Sequence, residues 1–452
     1  MHKAIFLTIF VLFINPMDCW QSEPVLLPTT SPLKIGFISR FATSPEDPTI
    51  VESPQAEINA AEMAIQDINA NGGVLGMDVS LIRKNTYGDK KTAVEAAHML
   101  DDKELVPVII GGWTSTNTIA VAEEVTIPGK ILQISPFSTA PGISDLKDDD
   151  FVFRTIASDA VLGIVIAELM IDVGFETASI MYTNSAYGIG LKNKVKSALE
   201  ESGGRILQAV PHEENIQTSK VPGSEDSEAF WTEQLQTAMK DDPHVLLWIG
   251  YSKETNEMLP FSVKHGFADN FMFVDPSLLQ PHLQTHHAKD CPDPSDPSDP
   301  DPSDAVSVTS KGRWLEALEG TFGASPSGGS SNQAKNLTIQ YNDLYTEEST
   351  YIFHTYDAIV LAALASEKAG STTDSQSIRD SLKDVANPPG EIVGPGEEGI
   401  GRALELIKQG IEINYSGAAG PQDFDEHGDA VSDTEVWKVL GGGVCTDRAA
   451  AQ

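Results

Sequence analysis

The chain has 452 residues, enough for more than one domain, and its 40% hydrophobic content marks it as globular rather than disordered. It carries 66 acidic against 30 basic residues, a net charge of −36. That balance argues against nucleic acid as a partner, because phosphate binding needs a basic footprint, and it favours a soluble monomer.

The N-terminus reads MHKAIFLTIFVLFINPMDCW. Lys3 gives a positive start, and residues 4–14 form an apolar run too short to span a membrane but suited to secretion. A signal peptide over residues 1–20 and export from the cytoplasm are therefore expected. Lipid attachment at Cys19 is the weaker alternative, since Pro16, Met17 and Asp18 stand where small residues are required. Removing the signal leaves Cys291 and Cys445 as one candidate disulfide, whose pairing the spacing leaves open.

From residue 33, short apolar runs alternate with amphipathic stretches. LKIGFIS (33–39), MDVSLIRKN (77–85), VPVIIGG (106–112) and KILQIS (130–135) read as strands. AEINAAEMAIQDINANGG (56–73), TAVEAAHMLDDKE (92–104) and TNTIAVAEEV (116–125) read as the helices between them, the first stopped by Gly72 and Gly73. A second unit opens at SDAVLGIVIAELMIDVGF (158–175), a helix. Strands ASIMYTN (178–184), RILQAVPH (205–212), VLLWIGY (245–251) and FMFVD (271–275) follow, with helices at 190–204 and 228–242. Helices at 355–371, 375–387 and 400–410 and a final strand EVWKVL (435–440) complete the pattern. This order predicts an α/β fold of two doubly wound lobes with largely parallel sheets.

Between 288 and 310, CPDPSDPSDPDPSD packs five Asp and five Pro into one run. It reads as an extended, solvated insertion loop rather than a calcium loop, for it lacks the glycine and the closing glutamate of one. HLQTHHAKDC groups His282, His286, His287 and Cys291, but no second ligand pair accompanies them, so no metal is expected. GPGEEG (394–399) matches a dinucleotide fingerprint only formally, since Glu397 and Glu398 would repel a pyrophosphate. No nucleophile elbow, zinc-protease motif or phosphate-binding loop is present, so neither catalysis nor a cofactor is expected.

One stretch asks for a ligand. GGWTSTNTIAVAEE (111–124) follows a strand with two glycines, Trp113 and the hydroxyls of Thr114, Ser115, Thr116 and Thr118. An ordinary helix cap needs one such residue. In open α/β sheets ligands bind beyond the C-terminal ends of strands, where glycine admits close approach and free N–H groups attract anions. The next strand ends in the same style, QISPFSTAPGIS (133–144), with Phe137, Ser138 and Thr139. Two neighbouring strand ends rich in hydroxyls and poor in charge suit a small carboxylate that must also leave. Trp113 either walls such a pocket or packs in the core.

With those stretches in hand, the chain resembles the branched-chain amino-acid-binding family, the type I periplasmic solute-binding proteins of ABC transporters. KIGFIS, AAEMAIQDINANGGVLG, IIGGWTSTNTIAVAE, QISPFSTAPGIS, FVFRTIASDA, YGIGLKNKVKSAL and YSGAAGPQDFDEHGD carry the likeness over nearly all of residues 33–445. The resemblance implies two α/β lobes joined by three crossovers and closing on ligand. It places the first lobe at 31–157 plus 284–410, with the 288–310 insertion inside it, and the second at 158–283 plus 411–452. By the same likeness Thr114 and Ser115 receive the ligand α-carboxylate, and the Phe137 carbonyl meets its ammonium. Thr139 touches both groups, and Tyr187 and Tyr251 close over the ligand. Asp275, where the family commonly has Glu, pairs with the ammonium. The segment from Phe41 to Ser53 matches the side-chain pocket loop. The implied function is the extracytoplasmic substrate-binding component of an ABC importer, partnered by a membrane permease. The alternative is a ligand-sensing module of the same fold without a permease.

Overall fold

The structure is a computed structural model. It describes residues 31–42, 52–213, 225–267, 271–275, 318, 320–326, 331–345, 351–431, 434–440 and 443–447. The expected signal peptide (residues 1–20), Cys19, the histidine cluster, the Asp/Pro insertion and Cys291 lie outside the described residues, as does the side chain of Cys445. No helix among the described residues is long and apolar enough to cross a membrane.

The first lobe is built on five parallel strands, β1 (Lys34–Ser39), β2 (Ser80–Asn85), β3 (Val108–Gly111), β4 (Leu132–Ser135) and β5 (Val152–Arg154), in the order β2-β1-β3-β4-β5. Between them run α1 (Glu52–Ala70), α2 (Lys90–Met99), α3 (Ser115–Val121) and the short α4 (Ile127–Gly129). The central strands β3 and β4 are buried on both faces because helices cover both, while the edge strand β2 stays partly exposed. Ile35 and Phe37 enter the large core shared with α1, while Ile38 joins the cluster under α2. Gly36 lies on that second face, where an added Cβ would sit 2.7 Å from Leu100 Cδ1.

The second lobe holds a seven-stranded sheet. Its parallel part is β6 (Thr177–Thr183), β7 (Arg205–His212), β8 (Val245–Ile249), β9 (Phe271–Phe273) and β10 (Phe322–Pro326). Helices α5 (Asp159–Asp172), α6 (Ala186–Glu201), α7 (Glu225–Ala238) and α8 (Ser252–His265) accompany it. The chain then returns to the first lobe as α9 (Asn332–Leu344), α10 (Ile352–Ala369), α11 (Ser375–Ala386) and α12 (Glu397–Lys408). With them comes a small sheet of β11 (Glu391–Val393), β12 (Ile413–Gly417) and β13 (Gly420–Pro421). Finally β14 (Thr434–Leu440) and β15 (Gly443–Asp447) add antiparallel strands to the second sheet.

The chain therefore crosses between lobes three times: from Arg154 to Asp159, from Pro326 to Asn332, and from Ala430 to Thr434. Two of these positions correct the expected boundaries. Leu318 and residues 320–326 belong to the second lobe, not the first: Leu318 is in its core and β10 pairs with both β9 and β14. Gly323 makes that pairing close, since a Cβ there would lie 1.9 Å from the Phe273 carbonyl oxygen. Residues 413–430 belong to the first lobe, not the second. Ile413, Tyr415, Phe424 and Ala430 fill its core. Asp357, buried in α10, fastens them by accepting from Tyr415 OH and from the amides of Ala418 and Ala419, each at 2.8 Å. The nearest described core residues on either side of the Asp/Pro insertion, Val274 and Leu318, are both in second-lobe cores.

Candidate functional site

Gly111, Gly112 and Trp113 all have left-handed φ, at +113°, +128° and +65°. The glycines serve the turn itself. A Cβ on Gly111 would meet the Ile38 carbonyl at 2.1 Å, and one on Gly112 would meet Thr118 Oγ1 at 2.0 Å. The backbone thus folds tightly onto β1 and α3 and swings Trp113 outward. Its ring is half-buried and packs on Phe137 at 5.5 Å between centroids. Phe137 in turn meets Phe37 and, edge-on, Tyr351. Trp113 is thus one end of an aromatic row along the strand ends.

The hydroxyls divide by what they still offer. Thr114 caps α3, its Oγ1 accepting from Asn117 N at 3.3 Å. Ser115 Oγ accepts from Ala140 N at 3.2 Å. A hydroxyl that accepts from a backbone amide keeps its proton to donate. Thr139 does the reverse: its Oγ1 donates to Asp159 Oδ2 at 2.8 Å and keeps lone pairs. Ser138 is bound into the frame, its Oγ 2.7 Å from Thr118 Oγ1. Thr116 reaches across the cleft and accepts from Ala186 N at 3.3 Å.

The second lobe answers with aromatics and carboxylates. Tyr187 and Tyr251 lie 5.7 Å apart, at an interplanar angle of 34°. Asp159, Asp275 and Tyr351 are all within electrostatic reach of Tyr187. Tyr351, from the first lobe, feels Asp275, Tyr251, Asp159 and Glu57. The structure thus gathers Thr139, Tyr187, Tyr251 and Asp275 around one interlobe cleft, and Phe137 joins them through Tyr351.

The family described as receptor family ligand binding region matches residues 56–442. The chain belongs to this family. Two curated relatives are similar to it over most of their length. A chemotactic signal transduction system substrate-binding protein of Halobacterium salinarum is 25% identical, over 81% of this chain and 77% of its own. A Leu/Ile/Val-binding protein homolog of Brucella suis is 24% identical, over 72% and 76%. Among solved structures, a leucine binding protein of Thermotoga maritima superposes with a TM-score of 0.68 at 21% identity, covering 92% of this chain and 97% of that one. A branched-chain amino acid transporter substrate binding protein of Streptococcus pneumoniae, solved with isoleucine, gives 0.66 at 18% identity, covering 92% and 99%. The fold is that of the type I periplasmic binding proteins, and family and fold are those of ligand-binding proteins.

Three residues of this candidate site escape a sequence reading. Asp159 stands just after the FVFRT strand exit and looks like the first residue of a well-capped helix. It is that too, following the Ser158 cap. Yet it is buried and faces the cleft through Thr139. Burial, offset in part by Thr139 and Arg154, raises its pKa to about 7. Tyr351 precedes a helix whose start the periodicity placed later. Arg154 is wholly buried and supports the cup from behind. It grips Asp429 through Nε and Nη2 at 2.5 and 2.7 Å, and its Nη1 donates to the carbonyls of Ser138 and Ala140 at 3.3 and 3.0 Å.

Asp159 also makes a pH test. Its pKa is raised from an ordinary 3.8, so the fold favours its protonated form. The stability it contributes is full below about pH 4 and lost as pH rises through about 7. His354 and His212 act oppositely, since burial lowers each to about 4. Asp159→Asn removes one falling contribution and leaves the histidines. Its melting temperature relative to wild type is therefore expected to climb steadily from pH 4 to 7 in ligand-free protein. A difference independent of pH would show that Asp159 is ionised throughout.

Proposed function

We propose that the protein is an extracytoplasmic substrate-binding protein that closes its two lobes over an α-amino acid or similar small zwitterion and delivers it to an ABC importer. The observation that carries this reading is the complementary state of the hydroxyls. Thr114 and Ser115 have protons to donate, which suits a carboxylate, while Thr139 has lone pairs to offer an ammonium. Asp159 and Asp275 add the negative charge the ammonium needs, and charge-assisted bonds are the strong ones. The aromatic row from Trp113 to Tyr351 offers apolar walls for a side chain. The relatives named for Leu/Ile/Val binding favour a branched aliphatic one.

The chemotactic name of the Halobacterium salinarum relative supports a second reading, in which the loaded protein docks on a transducer instead of a permease. Both readings use the same cleft. A thermal-shift screen of the common amino acids tests their shared part: a branched-chain amino acid at about 100 times its Kd should add about 2.7 kcal/mol of stability. If none of the amino acids raises the melting temperature, zwitterion binding loses its support. Co-purification of the closed form with a permease or with a transducer decides between the two deliveries.

A further inference from the structure

The first turn of α6 is where the second lobe touches the first away from the cleft centre. Ser185 caps this turn, accepting from Gly188 N. Ala186 N donates to Thr116 Oγ1 of α3 at 3.3 Å. The Ala186 side chain packs against the first-lobe cluster of Ala122, Ala140, Ile143 and Val152. One turn later, Gly190 faces Pro141, which opens the short 3-10 turn Pro141–Ile143 just after Thr139. A Cβ on Gly190 would lie 2.8 Å from Pro141 Cδ, inside any normal contact and against a rigid ring. Gly190 has ordinary helical backbone, so conformational freedom does not explain a glycine there. Alanine is the better helix former at such a position. Tyr187 lies between Ala186 and Gly190, its ring on Tyr251.

We propose that Thr116, Pro141, Ala186 and Gly190 form a lobe-to-lobe latch that meets no ligand, defines how far the lobes close, and thereby sets Tyr187 over the cleft. Gly190 is its positioning residue: only without a side chain does α6 come down onto Pro141. The latch rests on the reading of the cleft as a closing ligand site and deepens it. It makes affinity depend on a contact remote from the ligand, because apparent affinity scales with the population able to close.

Gly190→Ala separates this from a structural role by opposite signs. The ligand-free variant should melt at or above the wild-type temperature, while L-leucine, L-isoleucine or L-valine binds about tenfold or more weakly by calorimetry. Adding Pro141→Ala removes the ring atom in the way and should restore affinity. A ligand-free arm uses Thr116→Cys with Ala186→Cys, the three native cysteines being replaced by serine. Oxidation should cross-link the lobes, and Gly190→Ala should slow it. Undiminished binding and cross-linking in Gly190→Ala, a lowered ligand-free melting temperature, or no rescue by Pro141→Ala would each overturn the latch. If wild type binds none of these amino acids, the zwitterion reading fails by itself, and the cross-linking rate still decides the latch.

Discussion

Asp159→Asn is expected to weaken binding of an α-amino acid by roughly 10- to 100-fold, the equivalent of about 1.5–3 kcal/mol for a hydrogen bond to a charged group. The substitution keeps an oxygen for Thr139 Oγ1 to donate to, so the cup retains its shape. What is lost is the negative charge facing the ammonium. A deaminated analogue with the same side chain, 4-methylpentanoate for leucine, should lose nothing or gain. Asp275→Asn should show the same selectivity from the other lobe. Calorimetry with both ligands reads this directly, and equal losses for the two would make Asp159 a structural carboxylate. Because burial holds Asp159 near pH 7, amino acid binding should also tighten as pH rises through 7 and take proton release with it below that.

Arg154→Met is the largest expected stability change. It takes from the buried Asp429 carboxylate the only cation paired with it among the described residues, leaving it Ser144 Oγ, and removes the Arg154 donor from the Ser138 and Ala140 carbonyls, the latter retaining the Ile143 amide. Breaking a buried ion pair by removing one partner costs about 3–5 kcal/mol. Replacing both partners, Arg154→Met with Asp429→Leu, should recover much of that, since an apolar pair of similar volume needs no counter-charge. Denaturant unfolding of the two singles and the double gives the coupling, and additive losses would deny the pair its role. The stabilised double variant should still bind ligand poorly, because Arg154 holds the Ser138–Ala140 backbone on which Thr139 is mounted.

The alternation of apolar strands and amphipathic helices was legible because the central parallel strands are buried on both faces and helices such as α11 and α12 show one apolar stripe. Residues 33–39, 205–212 and 375–387 come out within a residue or two of β1, β7 and α11. The crossovers were not legible. A strand such as Phe322–Pro326, FGASP, is short and glycine-bearing, and its place is fixed by backbone pairing with β9 and β14, which no local pattern records. The 413–430 segment is held by Asp357, which sits in an otherwise apolar helix and reads as an interruption until its three donors are seen. At the site, the hydroxyl-rich turns announced themselves by composition. Asp159 did not, because a carboxylate in the first turn of a helix has an ordinary local explanation. Arg154 likewise shows only that a charge follows a strand, and its partner lies 275 positions away.

The threefold exchange of the chain between lobes also governs the order in which the protein can be finished during synthesis. The first core waits for α10, α11 and the 413–430 segment, and β10 lies between β9 and a strand that begins only at Thr434. Until that strand arrives, β10 is an open edge with unpaired backbone groups. Neither half is therefore complete until the segments beyond residue 413 have been made. A growing chain closes the first core only after the 413–430 segment has been made, and gives β10 its second neighbour only after Thr434–Leu440.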